Sequence, residues 1–356
     1  MITRTPGWTR FLLVALIIHI PLFIYPVLRI GDWLQLGFLP TILALLLLVP
    51  GQIVSRVFLR RKREGWAGWY KKAADFWLGL SPMLLMTLLL FEVLVVLFSL
   101  DTRLAAGWVL SLTAVLGLAG SVNAMMPVVK KVPLVSPRLS RPLRIVQITD
   151  VHIGSRKPAF LQEVVFRINQ QAPDFVCITG DLIDATNVSE DELRALEDLE
   201  MPVYFCIGNH EKYEDLDRII ERLQNLGVQV LRNRAVHDDT GVQVIGIDDM
   251  DDALQVERQL SHIEVCREDF VVLLYHRPRG LEAAAAAGVD LMLSGHTHNG
   301  QIFPFNLIVN QVFDKIEGLY QEGQTFLYVS QGTGTWGPVM RLGTRAEITL
   351  FEVSPA

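Results

Sequence analysis

Five apolar runs in the second half of this chain stop abruptly at an aspartate, an asparagine or a histidine. They are LRIVQITDVH (143–152), DFVCITGD (174–181), VYFCIGNHE (203–211), FVVLLYH (270–276) and VDLMLSGHTH (289–298). None carries such a residue near its middle, where random placement would have scattered some. Each run has the length and composition of a strand buried on both faces. Residues i and i+2 of an extended segment point the same way, so Asp150 and His152 can converge on one ion.

Helical patterns separate these runs. Phe160, Leu161, Val164, Val165 and Ile168 recur at helical spacing, and further helices are expected over 190–199 and 216–226. Two short strands, 228–231 and 242–247, lead to Asp248-Asp249, which read as the end of a strand rather than as ligands. Strands alternating with helices predict an α/β architecture, and ligands of such sheets gather at the carboxyl ends of the strands.

The ends supply seven oxygen and imidazole donors: Asp150, His152, Asp181, Asn209, His276, His296 and His298. That is too many for one transition ion and suits two ions sharing a carboxylate. Mixed oxygen and imidazole donors fit manganese, iron, zinc or cobalt better than calcium or magnesium. Two such ions about 3.5–4 Å apart stabilise the attacking and leaving oxygens of a displacement at phosphorus and turn a water into a hydroxide nucleophile.

The ordered blocks DVH, GDLID, GNHE, a lone His before Arg-Pro, and GHTH resemble the calcineurin-like metallophosphoesterases over residues 143–353. The resemblance implies a two-sheet sandwich flanked by helices. It implies that Asp150, His152, Asp181 and His298 hold a first metal. Asp181, bridging, with Asn209, His276 and His296 would hold a second. His210 is implied as a general acid or transition-state hydrogen-bond donor. The segments NGQI (299–302) and GTGTWG (332–337) are similar to those of a bacterial membrane-associated branch. Asn299 stands where that branch has glycine, a change in the loop rather than in a ligand.

The first half is of a different kind. Apolar stretches cover roughly 11–30, 33–49, 76–100 and 108–129. A spanning helix needs about 20 apolar residues. The second stretch reaches that length only by continuing past Pro50-Gly51 towards Leu59. A cleaved leader would account for the first stretch alone. Residues 1–144 carry 16 Lys+Arg against 5 Asp+Glu, and residues 145–356 carry 16 against 33. The acidic second half argues against a nucleic-acid partner. Seven basic residues between the second and third stretches, and five after the fourth, predict that the N-terminus and the catalytic half face the cytoplasm. The expected organisation is an all-α transmembrane domain of about four helices (1–129), a Pro-rich basic linker (130–142) and a metallophosphoesterase domain (143–356). Such a linker holds the catalytic half near a bilayer, with its basic flank suited to anionic headgroups. Glu92 and His19 interrupt the spans; a carboxylate there suggests a functional role, or is protonated or bonded to a neighbouring helix.

Cys177, Cys206 and Cys266 are odd in number and read as free thiols, the first two buried. Asp184 and Glu211 fit either a role in orienting imidazoles or plain loop carboxylates. The apolar segment 302–313 reads as loop packing or as a wall that receives acyl chains or touches the bilayer. The function expected is that of a multi-pass protein of the bacterial inner membrane. It hydrolyses a phosphodiester or pyrophosphate with two divalent ions, and a lipid-linked substrate is the attractive case. The competing readings are a membrane sensor or scaffold with a vestigial metal site, and a metal-dependent nuclease.

Overall fold

The computed structural model describes residues 18–356 apart from Arg60, Arg61, Thr186, Asp239 and Thr240. Residues 11–17, the beginning of the first expected span, lie outside the described residues. The chain divides into two compact units between Ser121 and Val122.

The first unit is helical: α1 (Tyr25–Trp33), α2 (Phe38–Phe58), α3 (Gly65–Phe98) and α4 (Thr102–Met125). By length and composition, α2, α3 and α4 are each able to cross a membrane. The second stretch does continue past Pro50-Gly51, as α2 to Phe58. At 1.5 Å per residue α3 is about 50 Å long, against roughly 30 Å of hydrocarbon. Its first turns carry exposed Trp66 and Trp69 beside Lys71 and Lys72, residue types that favour a membrane–water interface. Side chains such as Leu46, Leu47, Val96 and Leu97 point outward, while Leu84 and Leu88 pack on Ala105, Ala106 and Val109. Thr87 and Thr113 share a buried hydrogen bond of 2.9 Å between α3 and α4. The mid-span Glu92 is paired: Arg29 Nε on α1 donates to its Oε1 at 2.6 Å. His19 lies against Phe23, ring centroids 5.0 Å apart.

The second unit is built on two six-stranded sheets. In the first the order is β1 (Val128–Ser136), β12 (Glu347–Pro355), β2 (Leu143–Ile148), β3 (Phe175–Thr179), β4 (Val203–Cys206) and β5 (Gln229–Val230). In the second it is β10 (Gly318–Glu322), β11 (Thr325–Val329), β9 (Leu291–Ser294), β8 (Phe270–Tyr275), β7 (Val242–Ile247) and β6 (Arg234–His237). Strands β2 to β5 run parallel, as do β7, β8, β9 and β11.

The period of two in these strands serves two cores. Ile145, Cys177, Tyr204, Val272, Leu274 and Leu293 meet between the sheets. Their alternates Val146, Ile148, Val176, Ile178 and Phe205 pack on α5 (Pro158–Asn169) and on later helices of that face. The expected helix 190–199 is a four-residue turn, α6 (Glu190–Leu193), followed by a 3₁₀ turn. The short α7 (Asn209–Tyr213) and α8 (Leu216–Asn225) come next. On the outer face of the second sheet lie α9 (Gln255–Leu260) and α10 (Leu281–Ala287), and α11 (Phe305–Val309) follows β9.

One stretch departs from the sequence reading. Residues 130–136 of the expected linker form most of β1, nine residues paired parallel with β12. The linker's prolines stop the preceding helix but leave a strand possible. β1 lies at the edge of its sheet, and an edge strand tolerates the missing N–H of Pro133. Val132 and Leu134 supply buried contacts on one face.

Candidate metal centre

Every expected ligand lies at the carboxyl end of a strand, and the two sheets bring these ends together. β2 and β3 present Asp150, His152 and Asp181, and α7 after β4 begins with Asn209. From the second sheet come His276 after β8, and His296 and His298 after β9. Asp150, His152 and His298 form one cluster, and Asp181, His276 and His296 another; within each, the donor atoms lie within 4.8 Å of one another.

The backbone there is bent out of its ordinary range. Asp150, His152, Asp181, His296 and His298 all have φ between 50° and 72°. A left-handed conformation at a non-glycine residue costs about 1–3 kcal/mol and persists only where the surroundings enforce it. Enforcement is visible. The N–H of Asp150 donates to Gly180 O and that of His152 to Asp181 O, both at 3.1 Å, so pairing continues past the strand ends. Two glycines make room for the carboxylates. A Cβ on Gly208 would lie 2.2 Å from Asp181 Oδ1, and one on Gly295 would lie 2.3 Å from Asp150 Oδ2.

Polar links join the sheets at this end. His276 Nδ1 donates to Thr179 O at 2.8 Å, which leaves its Nε2 facing Asp181 Oδ2 at 3.1 Å. The N–H of His296 donates to Asp150, and Gln147 Nε2 donates to Thr179 Oγ1 and Ser294 O. Three features fit bound cations. His152 Nε2 and His298 Nε2 approach to 3.2 Å, and His276 Nε2 and His296 Nδ1 to 3.1 Å, separations that a shared cation or proton must bridge. The Oδ1 of Asn209 is buried with no hydrogen-bond partner. His298 Nε2 also lies 3.2 Å from Asp150 Oδ1.

The electrostatics agree. Burial alone would raise the Asp181 carboxyl, but the imidazoles of His276, His210 and His152 outweigh it and hold it below the usual carboxylate range. Burial alone would lower His276; the charge of Asp181 and its hydrogen bond reverse this and push it up to about 10. His296 is driven down to about 3, first by burial and then by His276. Carboxylates that draw protons so strongly onto neighbouring imidazoles form a well that a divalent ion fills equally well.

His210 stands at the rim, its Nε2 4.0 Å from Asp181 Oδ2. Its ring meets the edges of His152 and Trp336 at 4.9 and 6.1 Å. Burial, then the neighbouring His152, lower its pKa to about 4, so at neutral pH the ring is uncharged and offers one N–H. Its own backbone N–H donates to Asp181 Oδ1 at 2.8 Å.

The leftover carboxylates divide. Glu211 is fully buried and accepts from the backbone N–H groups of Asp181, Ile183 and Gly208 at 2.9–3.1 Å, tying the GDLID and GNHE loops together. Burial, then the charge of Asp181, push it up to about 7 against those donors. Asp184 Oδ2 lies 3.4 Å from His152 Nδ1, and the Asp184 carboxylate accepts from the backbone and hydroxyl of Ser155. Asp248 and Asp249 follow β7 and pair with Arg232 and Arg277, each at 2.7 Å.

The sequence reading missed Arg341. It is fully buried, donates to the carbonyls of Gln331, Gly332 and Gly334, and lies 3.4 Å from His298 Nδ1. Burial lowers its pKa to about 10, still charged at neutral pH. A lone arginine after a Gly-Pro loop gives no sequence signal of that role. The loop it holds carries Thr333 and Gly334, whose N–H groups donate to Thr149 O and Asp150 O. Gln301 clasps the far side of the loop through Trp336 N and O and Pro338 O. Trp336 of this loop is 48% exposed, and beside it the apolar segment is open to solvent: Leu307 is 55% exposed and Ile308 61%. The ring of Phe313 lies 5.3 Å from that of His296.

A two-sheet α/β sandwich with carboxylates and imidazoles converging at its strand ends defines a metal-dependent phosphoric ester hydrolase. Residues 143–300 match the calcineurin-like phosphoesterase family model. Over 329 residues the chain is 31% identical to an uncharacterised metallophosphoesterase of Campylobacter jejuni, covering 85% of this chain and 86% of that protein. It is 33% identical over 242 residues to one from Helicobacter pylori, covering 64% of each. A bovine transmembrane protein with metallophosphoesterase domain is 35% identical over 267 residues, covering 67% of this chain and 60% of that one. The chain belongs to the calcineurin-like metallophosphoesterase family. Its apolar helices and its likeness to a transmembrane relative associate it with a membrane.

Proposed function

We propose that this protein is a multi-pass, membrane-anchored phosphoesterase that uses two divalent ions to hydrolyse a phosphodiester or pyrophosphate bond in a lipid-linked substrate. The observation that carries the reading is the meeting of two carboxylate–imidazole clusters across the seam of the sheets, with Asn209 Oδ1 buried and unpartnered beside them. Asp150, His152, Asp181 and His298 would hold one ion, and Asp181, Asn209, His276 and His296 the other. Two bound divalent ions supply an acidified water and neutralise the phosphoryl oxygens. The protein's own groups do the rest. Asp184 sets the ring of His152 and Thr179 O that of His276. His210 offers its N–H to the leaving oxygen from the rim of the site. Exposed Leu307, Ile308 and Trp336 give an acyl chain an apolar surface near the reacting phosphate.

The basic loops favour a cytoplasmic catalytic domain, in the inner membrane of a bacterium. A sensor with a decayed site fits poorly, because all seven donors stand in place. The test is hydrolysis of bis(p-nitrophenyl) phosphate and p-nitrophenyl phosphate by the full chain in detergent, stripped of metal and resupplied with Mn²⁺, Fe²⁺, Zn²⁺ or Co²⁺. Metal-dependent turnover that disappears in Asp181→Ala supports the reading; no turnover by a folded, metal-loaded protein in lipid overturns it. Replacing Phe303, Leu307 and Ile308 with Ser should slow hydrolysis of a diacylated pyrophosphate and spare the soluble ester. Unchanged rates on both sink the lipid assignment.

A further inference from the structure

A second group of metal-binding side chains stands apart from this centre. His237 closes β6, and Cys266 and Asp269 lie in the loop before β8. Their donor atoms all fall within 4.8 Å of one another, and His237 Nε2 lies 3.1 Å from Asp269 Oδ2. With metal–ligand bonds of about 2.0–2.3 Å, the donors around a tetrahedral zinc ion stand roughly 3.3–3.6 Å apart. A His–Asp ion pair explains the 3.1 Å contact but not the thiol turned towards both partners.

The backbone that presents these groups is held firmly. Asp269 N–H donates to Cys266 O at 3.1 Å, a turn that sets Cys266 and Asp269 three residues apart in the manner of a Cys-x-x-Cys zinc loop. His237 is paired across the β6–β7 ladder with Gln243. The buried Gln243 side chain accepts from Cys266 N at 3.0 Å and donates to Glu264 O at 2.9 Å. One glutamine thus fixes the cysteine loop beside the histidine strand. Glu264 and Glu268 add negative charge around it.

We propose that His237, Cys266 and Asp269 bind a single zinc-type ion, with water as the fourth ligand, and staple the edge strand β6 to the loop entering β8. The site lies at the amino end of β8, whereas His276 follows its carboxyl end. Six strand residues at about 3.3 Å each separate the two by roughly 20 Å. The inference goes beyond the hydrolytic reading and does not depend on it.

Cobalt distinguishes the sites, because the catalytic donors include no sulfur. The full chain in detergent, stripped of metal and titrated with Co²⁺, should develop an intense near-ultraviolet sulfur-to-cobalt charge-transfer band. Cys266→Ser should abolish the band and His237→Ala weaken it at least tenfold. Wild type should retain one more zinc per chain than Cys266→Ser, and zinc should raise its thermal midpoint more than that of the variant. Absence of the band in wild type, or its persistence in Cys266→Ser, overturns the proposal. Circular dichroism of each variant establishes that it is folded, and hydrolysis of bis(p-nitrophenyl) phosphate by Cys266→Ser should stay within about twofold of wild type.

Discussion

The two sheets contribute differently to one site. The first sheet delivers Asp150, Asp181 and Asn209, all the oxygen donors, with a single imidazole, His152. The second delivers imidazoles only, His276, His296 and His298. The contrast extends to their support. On the first sheet the ligand loops are fastened to one another through Glu211 and through pairing that outruns the strands. On the second, the ligands are fastened across the seam, to Thr179 O and Asp150, and from behind by Arg341. The first sheet therefore reads as an anionic cradle, and the second as a set of imidazole arms positioned against it.

The largest expected effect breaks the cradle. Asp181→Ala removes the carboxylate that faces His276 and His210, and turnover should fall by roughly 10³-fold or more. His296→Ala removes one arm and should cost less at saturating metal; equal losses measured side by side would erase the distinction between the sheets. Next comes His210→Ala, with a loss of about 10²-fold on an alkyl phosphodiester and much less on a p-nitrophenyl ester, whose leaving group needs no proton. A uniform loss on both esters would argue that His210 only positions Asp181. Asp184→Asn should weaken metal binding about 10–100-fold, with activity restored by excess Mn²⁺; a defect that metal does not rescue would place Asp184 in the chemistry. The smallest effect is on stability. Glu211→Gln swaps an acceptor of three backbone N–H groups for one with a single carbonyl oxygen, and should lower unfolding free energy by about 1–3 kcal/mol in urea melts.

The convergence of these seven side chains was legible because they obey a rule of position: polar donors at the ends of apolar runs. The strands were legible because runs such as FVVLLY have few other ways to be buried. What the sequence left open or missed obeys no such rule. Glu211, singled out without a settled role, works through backbone N–H groups of two loops, which no side-chain pattern announces. Arg341 grips carbonyls of a loop and a histidine 43 positions away in sequence. Residues 130–142 read as a linker because of their three prolines and basic residues, and the edge position beside β12 makes 130–136 part of a strand. For Glu92, a bond to a neighbouring helix was one of the alternatives, and Arg29 on α1 supplies it.

That edge strand bears on the order of assembly. β12 runs parallel to β1 and antiparallel to β2, lying between two strands that precede it by some 200 residues. As the chain emerges from the ribosome, β2, β3 and β4 can pair at once, but β1 has no neighbour until the whole second sheet has been made. The apolar helices have meanwhile been made ahead of a nascent domain that is open along one side. Closure by β12 brings in long-range contacts late, the slow step of a topology of this kind. It also delays Glu347, which receives the Tyr328 hydroxyl and the N–H of Gln331 beside the Arg341 loop. The enzyme should therefore acquire a competent metal centre only after its last strand has docked.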